Sequence, residues 1–421
     1  MTTTRQARTA ATRERILSSA RELFVSRGYR STSLRDIAAA ASVSHPAVLG
    51  HFASKDDLLA EVVAQFEQEN DEAFSTVVAA AEPGSLIFSE LAERNAATPG
   101  YLELFTALIG EASTPDHPTH QRMRERYAQM RELASDILAD AEFHGVIAPD
   151  RDPEGETFRH MAIWDGLQLM AQYLPERVDV VEHLAEMEDL WATPWSWREP
   201  DEGGAADPPA GPLPTLIVGA PREADAAGYA AGRRRRTQIV SDAMHLFARQ
   251  GYGDTSLRDI ADAAGVSKST LLHHYATKEA LLLAVLTERD EAIQQWGAML
   301  EDSSAVEVLR RLPEGAVHNA DDEPGLVEVY AVLSCEAVPV GHPAHAYFTS
   351  RFAHSIDYFA ELFRLAQEDG DLPSHRDPVH EGIRLIALWD GLQYQWLYDR
   401  DAVDVAEQLR LHLVDVLPAR G

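Results

Sequence analysis

The heptapeptide TSLRDIA occurs twice in this chain, at residues 32–38 and again at 255–261. The surrounding sequence repeats as well. The pattern of RILSSARELFVSRGY (15–29) returns in TQIVSDAMHLFARQGY (237–252), and WDGLQ stands at both 164–168 and 389–393. The offset between copies is 223 residues in the first region and 225 in the second, a difference of one small loop. Solenoid repeats recur every 20–50 residues, so a period this long predicts the duplication of a whole unit.

Apolar residues follow a helical spacing in both copies, and no run alternates apolar and polar residues long enough to predict a sheet. We therefore predict an all-α chain of two tandem units. Residues between the copies are rich in Pro, Gly, Ala and acid, which is typical of a linker. The predicted parts are domain one (1–60), body one (61–198), a linker (199–228), domain two (229–283) and body two (284–421).

The repeated heptapeptide opens a helix in each copy. Ser33 with Asp36, and Ser256 with Asp259, have the spacing of a capping box. A four-residue turn follows, ASVS (41–44) or AGVS (264–267), and then a second short helix capped by Ser44 or Ser267. This order predicts a helix-turn-helix, in which the N-terminal residues of the second helix meet base edges in the major groove.

At these residues the chain resembles the TetR family of transcriptional regulators. The likeness rests on F-x-x-x-G-Y, TSLRDIA, the V-S turn with its H-F/Y ending, and S/T-K-D/E-x-L, and it covers about fifty residues in each copy. WDGLQ also resembles part of the second-last body helix of that family. The resemblance implies two helix-turn-helix domains, each followed by a helical body for ligand binding and dimerisation.

The resemblance implies a set of DNA-binding residues in each copy. The expected phosphate contacts are Thr32, Ser33, Lys55, Thr255, Ser256 and Lys278. The expected recognition residues are Ser44, His45, Pro46, Ala47 and His51 in copy one, and Ser267, Lys268, Ser269, Thr270 and His273 in copy two. An ordinary exposed helix position is the alternative for each of them, and packing is the alternative for His51 and His274.

Arginines precede the first helix of each domain and are candidates for phosphate or minor-groove contacts. They are Arg5, Arg8, Arg13 and Arg15 in copy one, and Arg233, Arg234, Arg235 and Arg236 in copy two. A solvated linker end is the alternative. Two departures from the family pattern concern DNA contact: leucine replaces the usual Tyr at Leu49 and Leu272, and Ser42 stands where copy two keeps Gly265, which strains the turn if its backbone is left-handed.

The resemblance also implies that the last two helices of each body pair with another subunit. The candidate segments are 156–174 with 178–192 and 380–398 with 402–417, and Gly166 and Gly391 would allow close approach. A cavity for a small, often apolar effector is expected among Phe105, Met123, Tyr127, Met130 and Trp164 in body one. In body two it is expected among Tyr330, Phe348, Phe352, Trp389 and Tyr394. Plain core packing is the alternative for all of them.

The net charge of −31 is unevenly distributed. Residues 1–60 hold nine Lys/Arg and five Asp/Glu, residues 229–283 hold eight and five, and all three lysines of the chain lie in these two windows. Double-stranded DNA is therefore the predicted partner. The two recognition helices, SHPAVLGH (44–51) and SKSTLLHH (267–274), differ, so the expected operator is non-palindromic. An intramolecular pseudo-dimer is the expected assembly, and a homodimer of chains remains an alternative.

Several other classes of protein receive little support. The N-terminus lacks the apolar run of a signal peptide, no segment has the length and hydropathy of a membrane span, and Cys335 stands alone, so we expect a cytoplasmic protein without disulfides. The pairs His117/His120 and His342/His345 fit a loop before a body helix better than a metal site, and no cofactor is implied. No nucleophile elbow, HExxH, P-loop or GxGxxG suggests an enzyme. A remaining alternative keeps the fold but makes copy one unable to read DNA.

Overall fold

A computed structural model describes residues 2–29, 31–198, 213–215, 230–298, 300, 303–321 and 325–419. Every regular element in these ranges is a helix, which confirms the all-α prediction. No helix in the described ranges combines the length and hydropathy that crossing a membrane requires. The linker predicted at 199–228 falls outside the described residues except for 213–215, where Leu213 packs against the hydrophobic core.

The two units have a similar order of helices, and within the described residues the second unit has one more short helix. In the first unit they are α1 (Thr2–Arg27), α2 (Leu34–Ala40), α3 (His45–Leu49), α4 (Lys55–Ala80), α5 (Phe88–Ala97), α6 (Tyr101–Glu111), α7 (His120–Phe143), α8 (Pro153–Tyr173) and α9 (Val180–Leu190). In the second they are α10 (Ala230–Asp254), α11 (Leu257–Ala263), α12 (Lys268–His274), α13 (Lys278–Ala298), α14 (Ala305–Arg310), α15 (Leu312–Asp321), α16 (Leu326–Glu336), α17 (His345–Glu368), α18 (Pro378–Tyr398) and α19 (Val405–Val416).

Each N-terminal domain is held by caps that the sequence predicted. Ser33 Oγ accepts from the backbone N–H of Asp36 at 3.2 Å, and Asp36 Oδ2 accepts from the N–H of Ser33 at 2.9 Å, which closes the capping box of α2. Ser256 and Asp259 form the same pair at the start of α11. These reciprocal bonds satisfy backbone donors that the first helical turn leaves unpaired, so they fix where each helix begins.

The turn between α2 and α3 is left-handed in both copies. Ser42 has φ 54° and Gly265 has φ 62° at equivalent positions. A side chain with a β-carbon pays a steric penalty in this conformation, whereas glycine adopts it freely. The turn of domain one is therefore strained relative to that of domain two.

Replacing Ser42 with glycine should stabilise domain one by about 0.5–1 kcal/mol, the difference between removing the left-handed strain and adding glycine's flexibility. Amide hydrogen exchange of α2 and α3 measures this local stability. The reverse change, Gly265→Ser, should speed exchange in α11 and α12. If S42G exchanges as fast as the parent chain, the turn is not strained.

The two bodies contact each other mainly through α8 and α18. A β-carbon built at Gly166 would lie 2.1 Å from the carbonyl oxygen of Ala387, and one at Gly391 would lie 1.8 Å from that of Ala162. The contact is reciprocal: each glycine faces the alanine that stands four residues before the other glycine. The expected close approach at Gly166 and Gly391 is present, and it leaves no room for any side chain.

Two tyrosine hydroxyls extend the same reciprocal arrangement. Tyr173 donates to the carbonyl oxygen of Ser334 at 2.6 Å, and Tyr398 donates to that of Ile109 at 2.8 Å. Both acceptors lie on the paired helices α6 and α16, each of which belongs to the opposite unit from the tyrosine that reaches it. Equivalent residues thus make equivalent contacts, as they do across the isologous interface of a two-fold dimer.

The contacts of one carboxylate, Asp415, do not follow this two-fold symmetry. Asp415 accepts from Arg151 Nη2 at 3.2 Å and from Arg376 Nη2 at 2.9 Å, so it bridges the two bodies. Each arginine also pairs with a glutamate of its own body, Glu156 at 2.8 Å or Glu381 at 2.9 Å. Burial alone would raise the pKa of Glu381, but the guanidinium groups of Arg384 and Arg376 outweigh it and lower that pKa to about 2. The cluster therefore stays charged inside the protein.

Candidate nucleic-acid interface and effector cavity

The recognition helices α3 and α12 start at serine caps. Ser44 Oγ accepts from the N–H of Ala47 at 3.3 Å, and Ser267 Oγ accepts from that of Thr270 at 3.1 Å. One apolar residue anchors each helix, Val48 or Leu271, and both are fully buried. The opposite face of each helix lies on the surface, and of its side chains the two cap serines already hydrogen-bond to their own helix.

The exposed faces of the two helices differ in chemistry. In copy one Ser44 and Pro46 are exposed, while His45, Ala47 and His51 are half-buried. In copy two the predicted residues are all exposed: Ser267, Lys268, Ser269, Thr270 and His273. Leu49 and Leu272, which replace the family's usual Tyr, are exposed at 44% and 38%. Copy two thus offers an ammonium and several hydroxyls where copy one offers imidazole and proline.

The structure corrects the expectation for Thr32 and Thr255. Both residues are 1% exposed, and their hydroxyls donate inward to the carbonyl oxygens of Gly28 (2.9 Å) and Gly251 (2.8 Å). These side chains cannot reach a phosphate, because they close the turn that precedes α2 and α11. Ser33 and Ser256 beside them are exposed and remain candidates for that contact.

Lys55 and Lys278 are partly engaged within their own domains. Lys55 Nζ donates to the carbonyl oxygen of Tyr29 at 3.0 Å and lies 4.1 Å from the centre of the Tyr29 ring. Lys278 makes the same arrangement with Gly253 (3.2 Å) and the Tyr252 ring (4.2 Å), and removal from water lowers its pKa. Each lysine therefore ties the start of a long helix to the G-Y turn, a structural role that the sequence did not predict.

The arginine arms are helical rather than extended. The first helix already begins at Thr2 and α10 begins at Ala230, so the arginines lie within these helices. Arg13 lies 5.0 Å from the Phe52 ring, and Arg236 lies 5.7 Å from the equivalent Tyr275 ring. Arg8 and Arg234 are exposed, whereas the side chains of Arg5 and Arg233 lie outside the described residues.

The two domains meet beside the bodies. A β-carbon at Gly253 would lie 2.8 Å from Ser31 Oγ of the other copy, and Arg249 pairs with Asp116 at 3.6 Å. Glu336, the last residue of α16, accepts from the backbone N–H groups of Tyr252 and Gly253, each at 2.6 Å. The end of a body helix thus holds the turn that carries α11 and α12.

A cavity of about 160 Å³ lies inside body one between α4, α5, α6, α7 and α8. All five predicted residues line it: Phe105, Met123, Tyr127, Met130 and Trp164. Sequence reasoning missed its polar residues, notably Arg126, Asp165 and His160. The only sequence signal for them was their helical spacing from the predicted ones, a pattern that ordinary helix faces share.

Burial shifts the titration of the cavity's ionisable groups. Asp165 accepts from the Tyr127 hydroxyl at 2.9 Å, and burial raises the pKa of Asp165 to about 7. Burial also lowers the pKa of His160 to about 3, and its ring lies 4.2 Å from that of Phe88. His160 is therefore neutral at physiological pH, and Asp165 is close to half protonated there.

The predicted residues of body two are buried to a similar degree. Tyr330, Phe348, Phe352 and Tyr394 are each at most 3% exposed, and Trp389 is half-buried. Larger rings stand where body one has smaller side chains: Phe348 corresponds to Met123, and Phe359 corresponds to Ala134. These larger rings fill more volume at the positions where body one lines its cavity.

The paired histidines serve as caps within loops. His120 Nδ1 lies 2.7 Å from the carbonyl oxygen of Ala112, and His345 Nδ1 lies 3.0 Å from that of Ala337. His117 Nδ1 lies 2.9 Å from Thr119 Oγ1. These contacts satisfy the backbone before α7 and α17, in keeping with the loop interpretation.

The chain is similar to known bacterial regulatory proteins. A family model described as "Bacterial regulatory proteins, tetR family" matches residues 16–62 and again 239–285. The HTH-type transcriptional repressor KstR2 of Rhodococcus jostii (strain RHA1) is 30% identical over 133 residues, which cover 30% of this chain and 57% of that protein. The A-factor receptor protein of Streptomyces griseus is 27% identical over 183 residues, covering 43% and 62%.

Among solved structures, GusR of Salmonella enterica is 23% identical with a TM-score of 0.36, over 44% of this chain and 96% of that one. The aligned part of this chain spans about three fifths of the length of the two relatives named above.

Proposed function

We propose that this chain, which carries the DNA-binding domain of the tetR family twice, is a transcriptional repressor that binds an asymmetric operator and leaves it when a small molecule binds body one. The observation that carries the proposal is the pair of unlike recognition helices in one chain. A symmetric dimer must read a palindrome, because both of its helices are the same. Here α3 and α12 differ at every exposed N-terminal position after the serine cap.

The contacts between the units support one chain as the DNA-binding unit. The glycine contacts of α8 and α18 and the two tyrosine bonds occupy the surfaces through which two separate subunits would pair. An intramolecular pseudo-dimer then holds both reading helices without a second chain.

The charge distribution supports DNA as the partner despite the acidic total. The exposed cations of the domains, such as Lys268, Arg8 and Arg234, suit phosphate contact. The rest of the chain is strongly acidic and would be repelled by DNA. Together these charges orient the chain on the duplex.

A route from the cavity to domain one supports the effector's role. Tyr101, Phe105 and Ile109 of α6 line the cavity, and α6 ends at Glu111. A β-carbon at Gly28 would lie 2.7 Å from Glu111 Oε1, so the helix end touches the turn before α2. A ligand that moves α6 would move this turn, and preferential binding to the DNA-free arrangement would lower DNA affinity by linkage.

Selection of binding sequences from random DNA, followed by footprinting, tests the proposal. We expect a non-palindromic consensus whose halves respond to different variants. Lys268→Ala should weaken binding about tenfold or more at guanines of one half-site only, because lysine donates to guanine in the major groove. His45→Ala should affect only the other half.

Arg364→Ala is the matched control, since it removes one exposed positive charge from α17 of body two, outside the helix-turn-helix. It should leave the consensus unchanged. Light scattering of the complex should give one chain per operator. A palindromic consensus bound by two chains would contradict the proposal.

A further inference from the structure

Arg126 is a positive charge in the cavity wall that forms no salt bridge with any of the described residues. Its Nη2 donates to the Tyr101 hydroxyl at 2.9 Å, and its guanidinium lies 4.4 Å from the Phe105 ring centre. Among the described residues, no carboxylate lies within ion-pair distance of it. Partly buried charges are ordinarily paired, because removing them from water is costly.

The equivalent arginine of body two shows what pairing looks like at this position. Arg351 Nη1 donates to Asp290 Oδ1 at 2.5 Å, and the Tyr347 hydroxyl donates to the same carboxylate at 2.9 Å. Body one has Glu67 where body two has Asp290, but Arg122 binds Glu67 there. One change, Arg122 in the place of Tyr347, therefore takes the carboxylate away and leaves Arg126 facing the cavity.

The carboxyl groups of the cavity do not replace that partner. Asp165 lies within it, but its carboxylate accepts from Tyr127, and burial raises its pKa to about 7 against the opposing effects of the Tyr127 hydrogen bond and the Arg126 charge. Asp71 is exposed at the rim. The cavity thus has a permanent cation and a carboxyl group that can become neutral, which favours an anionic ligand over a cationic one.

The size and lining of the cavity limit the rest of the ligand. Six aromatic rings surround it, those of Phe74, Phe88, Tyr101, Phe105, Tyr127 and Trp164. Its volume of about 160 Å³ is close to that of an engineered protein cavity, about 150 Å³, that holds benzene. A single ring with a short polar group fits this space.

We propose that the cavity of body one binds a small aromatic carboxylate, with the ring among the aromatic side chains and the carboxylate on the guanidinium of Arg126. Arginine suits this role because its planar fork forms two parallel hydrogen bonds to a carboxylate. The inference rests on the proposed function, in which this cavity is the effector site.

Titration calorimetry on the full chain tests the assignment with benzoate and phenylacetate. Benzyl alcohol and benzylamine serve as neutral and cationic probes of similar size. We expect the acids to bind at least tenfold more tightly than the other two, since a charge-assisted bidentate pair forms only with them. Arg126→Gln should weaken binding of the acids at least tenfold, and Arg126→Lys should weaken it less.

The chain supplies two matched controls. Arg124→Gln makes the same change two residues away on α7, outside the cavity lining, and should leave binding unchanged. Ala134→Phe introduces the ring that body two has at Phe359 and should abolish binding of all four probes by filling the cavity. Thermal unfolding identifies any variant that fails to fold, and Arg126→Lys keeps the test valid if the glutamine variant does.

Failure of this inference is distinct from failure of the proposed function. If the acids do not bind, or bind Arg126→Gln as well as the parent chain, the carboxylate assignment is wrong. Operator binding measured without any probe is unaffected by that result. Preference for benzylamine, with release of DNA, would overturn the carboxylate assignment and leave the sensor role in place.

Discussion

Asp415→Ala should lower the free energy of unfolding by about 3–5 kcal/mol, because it leaves Arg151 and Arg376 without the buried carboxylate that joins them. Removing one member of a buried charge cluster costs more than the cluster itself contributes, since the remaining charges stay desolvated. Urea denaturation followed by circular dichroism measures the loss.

A control on the same helix separates this effect from a general weakening of α19. Glu407 pairs with Arg410 at 2.7 Å, and both side chains are about half exposed. Glu407→Ala should cost less than about 1 kcal/mol, as surface ion pairs do. Equal losses from the two variants would show that Asp415 has no special role.

The same cluster makes stability depend on pH in a defined direction. Burial raises the pKa of Asp415, but Arg376 and Arg151 outweigh it and hold that pKa below its ordinary value. The unfolded chain then takes up the proton first on acidification, so the contribution is complete above the ordinary pKa and is lost as pH falls below about 4. The stability difference between the parent chain and Asp415→Ala should shrink over that range.

Gly391→Ala should lower the free energy of unfolding by about 3 kcal/mol, at the upper end of the range for overpacked cores. The new β-carbon would lie 1.8 Å from the carbonyl oxygen of Ala162, and backbone cannot move aside as a flexible side chain can. The helices α8 and α18 would have to separate. Urea denaturation and the Tm both report the loss.

Gly341→Ala is the control for this change, because nothing lies within 4 Å of a β-carbon at that position. It should alter stability by less than about 0.5 kcal/mol, as most surface substitutions do. If Gly391→Ala were equally mild, α8 and α18 would not pack as closely as the structure places them.

The reading domains were the most predictable part of the molecule. Capping boxes, serine caps and the left-handed turn at Ser42 follow from residues within a few positions of each other, so local sequence determines them. Thr32 and Lys55 were the exceptions. Their partners, Gly28 and Tyr29, also lie nearby in the chain, but only the packing of α1 against α4 decides that the side chains turn inward.

The sequence predicted where the cavity of body one lies but not which polar side chains line it. The aromatic residues predicted in body one line a cavity and those predicted in body two are buried, but spacing alone does not show how much space neighbouring side chains fill. Arg126 shows the limit most clearly. Its sequence context matches that of Arg351. Arg351 forms a salt bridge with Asp290, whereas Arg126 forms none among the described residues, because body one has Arg122 where body two has Tyr347.

By itself, the sequence determined the duplication, the helical class, the two reading helices and the glycines that let α8 and α18 meet. Repetition and helical periodicity are properties of the order of residues along the chain, so they can be recognised without knowing which distant residues are in contact. Only the tertiary structure decided that Asp415 joins both bodies, that the aromatic residues of body one surround a cavity, and that Arg126 faces that cavity. These features depend on volumes and charges brought together from residues tens to hundreds of positions apart, which no local pattern records.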